Sequence, residues 1–478
     1  MNRLIEKYNG ISVQAKAALW FTGCNFLQKG VSFITVPIFT RMMSTDEYGV
    51  YSLYTSWYQI LLIVTSLYLF NGVFDNAMSK FSEDRDRFAA SVQGLSITVT
   101  VFVFIIFVAT NRLWEQALGL PKKFIVLMFV EMLVAPSLYY WSARQRFEYQ
   151  YKRLVFITVS KTIINPCLGL LLVYLFPDKA LGRVFSIVLT ELVFDVSVMI
   201  YQFAKGRVFF DSQYWKYAIT LAIPLIPHYL SGMILNQGDR IVIDRMVGKS
   251  AVAMYGVAYS IGMLVQMFIN AINSAITPWV YGNLKEKNIR AIRKQFSILL
   301  LLVATIISAV ILVCPELVMI FGSEKYADAV YVIPPVAASV YFIFLYGVLS
   351  YPEFYYEETR FLMLASFGAA ILNVILNIIF VKIFGFVAAG YTTLVCYIVY
   401  SLGHYLVGSK VLRKHTEESA LVEKKPALGL SLYVITISIV GNFIVPYVWL
   451  RYAVIAILVI VVLVNYKRIC SLFSKMKK

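Results

Sequence analysis

Charged side chains recur inside long apolar stretches of this 478-residue chain. The densest group lies between residues 224 and 259, where Asp239 is followed by Arg240 and Asp244 by Arg245. An ionised group inside a membrane-length apolar helix is costly, so such groups pair with one another or face water. We therefore treat these residues as candidates for a functional site.

Three basic residues are the candidates for binding an anionic substrate. Lys29 lies near the middle of the first apolar run, Lys161 lies towards one end of the fifth, and Arg240 lies in the group just described. For Lys29 the alternative is pairing with an acidic residue at similar depth. For Lys161 the alternative is snorkelling, in which the ammonium extends to the membrane interface.

Three acidic residues lie at depth in the first half of the chain. Glu191 and Asp195 are four residues apart, which places them on one face of a helix, and Glu131 precedes Pro136 in an earlier run. Two carboxylates close together in a low dielectric favour binding of a proton or a cation. We expect these three residues to couple transport to protons or sodium, and pairing with lysine is the alternative.

Sequence motifs for catalysis are absent. Gly248, Lys249 and Ser250 imitate the end of a phosphate-binding loop, but Ile243 stands where the upstream glycine is required. The three histidines and five cysteines are dispersed, without the spacing of metal ligands. We predict that the chain is not an enzyme, with no catalytic residue, no metal site and no cofactor beyond a coupling ion.

The composition identifies a multi-pass membrane protein. Hydrophobic residues make up 60% of the chain and charged residues 14%, whereas a soluble protein has about a quarter charged residues. Apolar runs of about 20 residues read as spanning helices. They predict about fourteen transmembrane helices and an all-α fold, with approximate extents 17–40, 51–75, 88–110, 124–142, 154–176, 184–203, 217–238, 252–281, 296–314, 329–352, 361–381, 386–408, 428–446 and 449–465.

The net charge of +17 follows from topology and does not indicate nucleic acid binding. If the amino terminus is cytoplasmic, most Lys and Arg residues fall in the cytoplasmic loops and tail, as the positive-inside rule requires. We expect both termini in the cytoplasm and the first apolar run retained as a signal anchor. The loops are too short for a soluble catalytic domain.

An internal repeat divides the chain into two lobes. Asn165 and Gly182 recur about 208 residues later as Asn373 and Gly390, and the Tyr-Gly pair at residues 48–49 recurs at 255–256. Six spans in each half give parallel repeats. The predicted domains are an N-terminal lobe at 1–210, a C-terminal lobe at 211–408, a cytoplasmic loop at 409–427, and two extra spans with a basic tail at 428–478.

With these features the chain resembles the multidrug, oligosaccharidyl-lipid and polysaccharide exporter superfamily, and within it the Wzx-type flippases of bacterial polysaccharide biosynthesis. The Asp239-Arg240 stretch is fairly specific to the polysaccharide branch. The residues that carry the likeness are Pro37, Arg41, Glu47, Tyr48, Gly49, Tyr51, Pro224, Pro227, Ser231, Asp239, Arg240, Ile243, Gly248, Tyr255, Tyr259, Phe321, Gly322, Glu324, Tyr326, Asn373, Asn377, Gly385 and Gly390.

The resemblance implies a membrane transporter, with two six-helix lobes in a V, alternating access and a cationic cavity. The implied cargo is an oligosaccharide repeat unit on undecaprenyl pyrophosphate, moved from the cytoplasmic to the outer leaflet for O-antigen or capsule synthesis. The implied location is the bacterial cytoplasmic membrane, with the bilayer and the polysaccharide polymerase machinery as partners and no nucleic acid.

Three rival functions stay open at this point. The acidic residues at depth also suit a cation-coupled multidrug antiporter, which would exchange protons or sodium for organic cations. A flippase for the peptidoglycan precursor and a nontransporting scaffold for polysaccharide assembly are the other two.

Overall fold

A computed structural model describes residues 10–358, 360–457 and 459–460, and every regular element in those ranges is helical. Inside a bilayer no water is available to hydrogen-bond to the backbone N–H and C=O groups. A spanning segment therefore forms a helix, in which these groups bond to one another. The predicted all-α polytopic membrane fold is confirmed.

Two compact units make up the chain, Met1–Met233 and Ile234–Lys478. The helices of unit 1 are α1 (Val13–Met42), α2 (Thr45–Thr65), α3 (Val73–Lys80), α4 (Arg85–Ala109), α5 (Asn111–Leu118), α6 (Lys122–Phe147), α7 (Tyr151–Leu175), α8 (Lys179–Gly206) and α9 (Ser212–Ala222). Helix α10 (Ile226–Met246) contains the boundary between the units.

Unit 2 continues from the second part of α10. Its further elements are α11 (Lys249–Lys285), α12 (Ile289–Leu312), α13 (Cys314–Phe321), a 3-10 helix (Glu324–Tyr331), α14 (Ile333–Tyr355), α15 (Arg360–Phe384), α16 (Val387–His415), α17 (Lys424–Ile444) and the short apolar helix α18 (Val448–Ile457).

The described helices follow the predicted spans closely. Ten of them are long and apolar enough to cross a membrane, and α9 and α10, which are bent by 54° relative to each other, meet the same criterion only as a pair. The bend falls beside Pro224, where a kink is expected because proline lacks a backbone donor. Helix α1, with 30 residues, covers the first predicted span. Helix α2, with 21 residues, ends at Thr65 and covers only the first part of the second predicted span, 51–75, because turns separate it from α3. The end of the fourteenth predicted span lies outside the described residues.

The two units meet between Met233 and Ile234, whereas the sequence predicted a boundary between residues 210 and 211. Helix α9 belongs to unit 1 because it packs on α4: the indole of Trp215 donates to the backbone oxygen of Ser91 at 2.9 Å. Gly94 on α4 also touches the backbone of Phe209 just before α9. These contacts attach the segment after α8 to the first unit.

The same helix pairings occur inside each unit. In unit 1, α8 packs against α6 and α7, and α4 packs against α6; in unit 2, α16 packs against α14 and α15, and α12 packs against α14. The first residues of α8 and α16, Lys179 and Val387, are separated by the same interval of about 208 residues as Asn165 and Asn373. These pairings support the predicted internal repeat.

Gly182 is expected to tolerate no side chain at the contact of α8 with α7. A methyl group there would lie 2.5 Å from the backbone oxygen of Leu172, and backbone cannot move aside cheaply, so we expect Gly182→Ala to cost about 1–3 kcal/mol. Gly429 on α17 has no atom within 4 Å of such a methyl group. Gly429→Ala should therefore leave stability equal or higher, since alanine favours helix. Thermal unfolding of the detergent-purified variants measures both, and equal unfolding temperatures would contradict the packing.

Candidate functional site

A carboxylate on α10 forms the centre of a buried polar network in unit 2. Asp239 is completely buried. Its Oδ1 accepts from Asn377 Nδ2 at 2.6 Å and its Oδ2 accepts from Thr393 Oγ1 at 2.9 Å and from the Tyr255 hydroxyl. Three neutral donors from α11, α15 and α16 thus satisfy one charge inside the membrane-spanning region, as a buried carboxylate requires.

The network extends one step beyond Asp239. Asn377 Nδ2 also donates to Asn373 Oδ1 at 3.0 Å, Asn373 Nδ2 donates to Thr393 Oγ1 at 3.1 Å, and Thr392 Oγ1 donates to Asn377 Oδ1 at 2.5 Å. The carboxylate, amide and hydroxyl oxygens here are ligand types that a hard cation accepts. Directional hydrogen bonds of this network therefore join four helices, α10, α11, α15 and α16.

The next residue, Arg240, is held by aromatic rings and neutral acceptors. Its guanidinium carbon lies 4.6 Å from the ring centre of Tyr259 and 5.8 Å from that of Tyr255. Its Nη1 donates to Gln237 Oε1 at 2.7 Å and to the Asn236 backbone oxygen at 3.2 Å. Within the described residues it forms no ion pair with a carboxylate, so its charge is stabilised by cation–π contact and hydrogen bonds.

A cavity of about 240 Å³ lies beside both features, inside unit 2. Asn236 and Tyr259 line it from the Arg240 side and Thr393 lines it from the Asp239 side. Tyr259 Oη donates to Asn236 Oδ1 at 3.0 Å, which fixes the ring beneath the guanidinium. The cavity thus adjoins a cation on one side and a hydrogen-bonded carboxylate on the other.

Removing the Asp239 carboxylate should destabilise unit 2 strongly. Asp239→Ala leaves the donors of Tyr255, Asn377 and Thr393 buried without an acceptor, at about 1–3 kcal/mol each. We expect a clear fall in the thermal unfolding temperature of the purified protein. Glu358→Ala is the control, because Glu358 pairs with Lys414 on the exposed surface and such pairs contribute little. Equal effects of the two substitutions would contradict a structural role for the network.

A second guanidinium is held in a similar way in unit 1. Arg183, one turn inside α8, lies 4.5 Å from the Phe39 ring centre and 5.2 Å from that of Tyr51. Its Nη1 donates to Asn165 Oδ1 and Ser186 Oγ, both at 3.0 Å. Its Nε is buried without a partner, and no carboxylate in the described chain pairs with it. Arg183 is therefore a buried cation with unused hydrogen-bonding capacity.

The predicted coupling residues lie together in unit 1. Lys161 Nζ lies 2.9 Å from Asp195 Oδ2 and 3.4 Å from Glu191 Oε1. Glu131 accepts from Tyr54 Oη at 2.5 Å and interacts electrostatically with Glu191. Glu191 Oε2 is buried without a hydrogen bond. One lysine thus serves two carboxylates, and the third carboxylate depends on a tyrosine.

The structure separates the residues predicted to bind substrate. Lys161 does not snorkel: it is engaged by Asp195 and Glu191, the pairing considered as an alternative for those acids. Lys29 is exposed on α1, and in the described part of the chain it forms no ion pair, so internal pairing does not hold for it. Arg240 lies beside a cavity in unit 2. Among the described residues, neither Lys29 nor Arg240 has a carboxylate as a salt-bridge partner.

Arg183 is the residue that sequence reasoning missed. The sixth span was predicted from residue 184, which left Arg183 in the preceding loop. Asp178 accepts from the Leu181 backbone N–H at 3.0 Å and caps α8, so an aspartate at this position was the available signal for an earlier helix start. The partners of Asp239 were likewise present in the sequence, but the contact of α10 with α15 and α16 is tertiary.

The fold is similar to those of solved membrane transporters and flippases. It matches the structure of the lipid II flippase MurJ in an inward closed conformation with a TM-score of 0.72 and 14% identity, over 94% of this chain and 100% of that chain. It also matches an inward-facing multidrug resistance MATE family transporter with a TM-score of 0.58 and 15% identity, over 85% and 96% of the two chains.

Residues 15–281 match the family described as polysaccharide biosynthesis protein, and the chain belongs to that family. Residues 224–379 match the MatE family. A relative in Haemophilus influenzae (strain ATCC 51907 / DSM 11121 / KW20 / Rd), Lsg locus putative protein 1, is 26% identical over 72% of this chain and 86% of its own length. The resemblance inferred from the sequence is thereby confirmed.

Proposed function

We propose that this protein is a flippase that moves undecaprenyl-pyrophosphate-linked oligosaccharide repeat units from the cytoplasmic to the outer leaflet for surface polysaccharide biosynthesis. A sugar headgroup with a diphosphate cannot cross hydrocarbon unaided, because desolvating its charges costs far too much. The protein must therefore supply polar and cationic groups at membrane depth. Membership of the polysaccharide biosynthesis protein family supports this direction.

The observation that carries the proposal is that Arg183 and Arg240 are buried cations held by aromatic rings and neutral acceptors. Both guanidiniums lie in apolar helices on aromatic rings, and in the described residues neither pairs with a carboxylate. Guanidinium groups form charge-assisted, often bidentate hydrogen bonds with phosphate oxygens. At each arginine, within its own unit, a phosphate oxygen would supply the missing counter-charge, and exposed Lys29 adds a further cation in unit 1.

The acidic cluster of unit 1 is the proposed coupling element. Glu191, Asp195 and Glu131 are buried; Lys161 pairs with Glu191 and Asp195, whereas Glu131 accepts a hydrogen bond from Tyr54. Binding of a proton or a sodium ion would relieve their mutual repulsion. We propose that this event biases alternating access between the leaflets. Lys161 then serves coupling and substrate binding falls to the arginines and Lys29.

The test is restoration of polymer in a bacterium whose own polysaccharide flippase is deleted. We expect this chain to restore polymer and to move lipid-linked repeat units to the outer leaflet, with both of its termini in the cytoplasm. The empty vector and an Arg183→Gln, Arg240→Gln variant of equal abundance are the controls. Absence of repeat units from the outer leaflet with well-expressed protein would contradict the proposal.

A cation-coupled multidrug antiporter is the second candidate. The MatE match at 224–379 and the buried carboxylates of unit 1 favour it. Efflux of a cationic dye from vesicles driven by protons or sodium, abolished by Glu191→Gln, would support this function. Rescue of cells that lack their lipid II flippase would instead support a peptidoglycan precursor as the cargo.

A further inference from the structure

Two adjoining spaces at one end of unit 1 have the form of a lipid site. A polar cavity of about 80 Å³ lies where α6 ends and α7 begins, and an apolar groove of about 590 Å³ runs between α7 and α8. Trp141, Arg153 and Tyr201 line both spaces. A polar pocket that opens into an apolar groove suits a molecule with a small polar head and a hydrocarbon chain.

The polar cavity offers acceptors that the protein does not use. The oxygens Gln145 Oε1 and Gln202 Oε1 are buried without a donor, although both residues line the cavity and are only 5% exposed. The amide nitrogen of Gln202 is already committed to Gln93 Oε1 at 2.8 Å and to the Ser137 backbone oxygen at 2.9 Å. A ligand with hydroxyl donors would satisfy both oxygens.

The charges at the cavity leave a cationic excess at its rim. Arg144 is paired with Asp86 and Glu148. Lys152 and Arg153 line the groove and have no ion pair in the described part of the chain. Clusters of basic residues between membrane helices bind anionic lipid head groups, so the expected polar head carries a phosphate.

The groove below the basic rim is apolar and exposed. Phe156 is 71% exposed and Val193 58% exposed, and both line the groove. Its floor continues into the buried contact of Trp141 with Leu154 and Val198. At membrane depth such a surface is stable only when hydrocarbon covers it.

We propose that these spaces form a binding site for an anionic phospholipid of the phosphatidylglycerol type. Its phosphate lies between Lys152 and Arg153, its glycerol hydroxyls donate to Gln145 and Gln202, and one acyl chain occupies the groove. The polar cavity is too small for an oligosaccharide, which separates this site from the proposed substrate path. The lipid site is therefore independent of the proposed function.

Native mass spectrometry of the detergent-purified full-length protein tests the site. We expect one dioleoyl-phosphatidylglycerol to bind at least about tenfold more tightly than dioleoyl-phosphatidylethanolamine. The double substitution Lys152→Gln, Arg153→Gln should remove that preference, and Ser197→Trp should weaken binding of the chain by filling the groove, since Ser197 lines it.

The matched control is Lys205→Gln. Lys205 is exposed near the end of α8 and lines neither space, so this variant removes one positive charge at a nearby position. We expect unchanged affinity for phosphatidylglycerol. Equal affinity for the two lipids, or equal loss in Lys205→Gln and in the double variant, would overturn the proposal, because it would reduce the effect to general charge attraction.

Discussion

Replacing Arg240 by glutamine is expected to lower transport of a diphosphate-linked glycan by more than about tenfold. Truncating one partner of a buried charge contact typically costs about 2–5 kcal/mol. The substitution removes the interaction that we propose between the guanidinium and the diphosphate. Arg240→Lys should transport at an intermediate rate, because lysine keeps the charge but not the planar stack on Tyr259. Initial transport rates in vesicles measure the effect.

A control on the same helix separates charge from position. Arg245 lies on the exposed surface near the end of α10, and Arg245→Gln should transport at the wild-type rate. Arg183→Gln should resemble Arg240→Gln, since both cations are held by rings and neutral acceptors. Transport that survives in both single variants, with folded protein of equal abundance, would mean that these arginines do not bind the substrate.

Replacing Lys161 by methionine is expected to destabilise unit 1 more than any other single change at the acidic cluster. Asp195 and Glu191 would then lie buried without their cation, and breaking a buried ion pair costs about 3–5 kcal/mol. The triple variant Lys161→Met, Glu191→Gln, Asp195→Asn removes all three charges and should recover most of that loss. Thermal unfolding of the purified variants measures both.

The triple variant also separates assembly from coupling. If the cluster couples transport to a cation, the triple variant should be stable and should lose its dependence on a proton or sodium gradient. If the cluster only holds α7 to α8, the triple variant should transport like the wild type. A triple variant as unstable as Lys161→Met would contradict the ion-pair explanation itself.

Most helices could be predicted from the sequence, because a backbone that crosses a membrane has few conformations other than a helix that satisfy its hydrogen-bonding groups. Apolar length placed α4, α6 and α7 within a few residues of their observed ends. Helix ends were less accurate: α8 begins at Lys179 because of its Asp178 cap, and this moved Arg183 from a loop into the helix.

The site was only partly predictable because partners are chosen by tertiary packing. Asp239 and Arg240 were recognised as unusual, but α10 alone does not indicate that Asn377 and Thr393 approach the carboxylate. Nor does it indicate that Arg240 lies over Tyr259. Hydropathy placed Lys29 near the middle of its span and Lys161 towards one end of its own, but only the packing of α7 against α8 shows that Lys161 contacts two carboxylates.

The most direct test of the central claim is movement of a polyprenyl-diphosphate oligosaccharide across a bilayer by the purified protein. A panel of such lipids, each with a labelled terminal sugar, would be reconstituted with the protein in sealed vesicles. Accessibility to a membrane-impermeant oxidant would be followed over time. We predict that at least one lipid becomes fully accessible with wild-type protein, and only about half accessible in vesicles without protein or with the Arg183→Gln, Arg240→Gln variant. Equal time courses in all three preparations would contradict the claim.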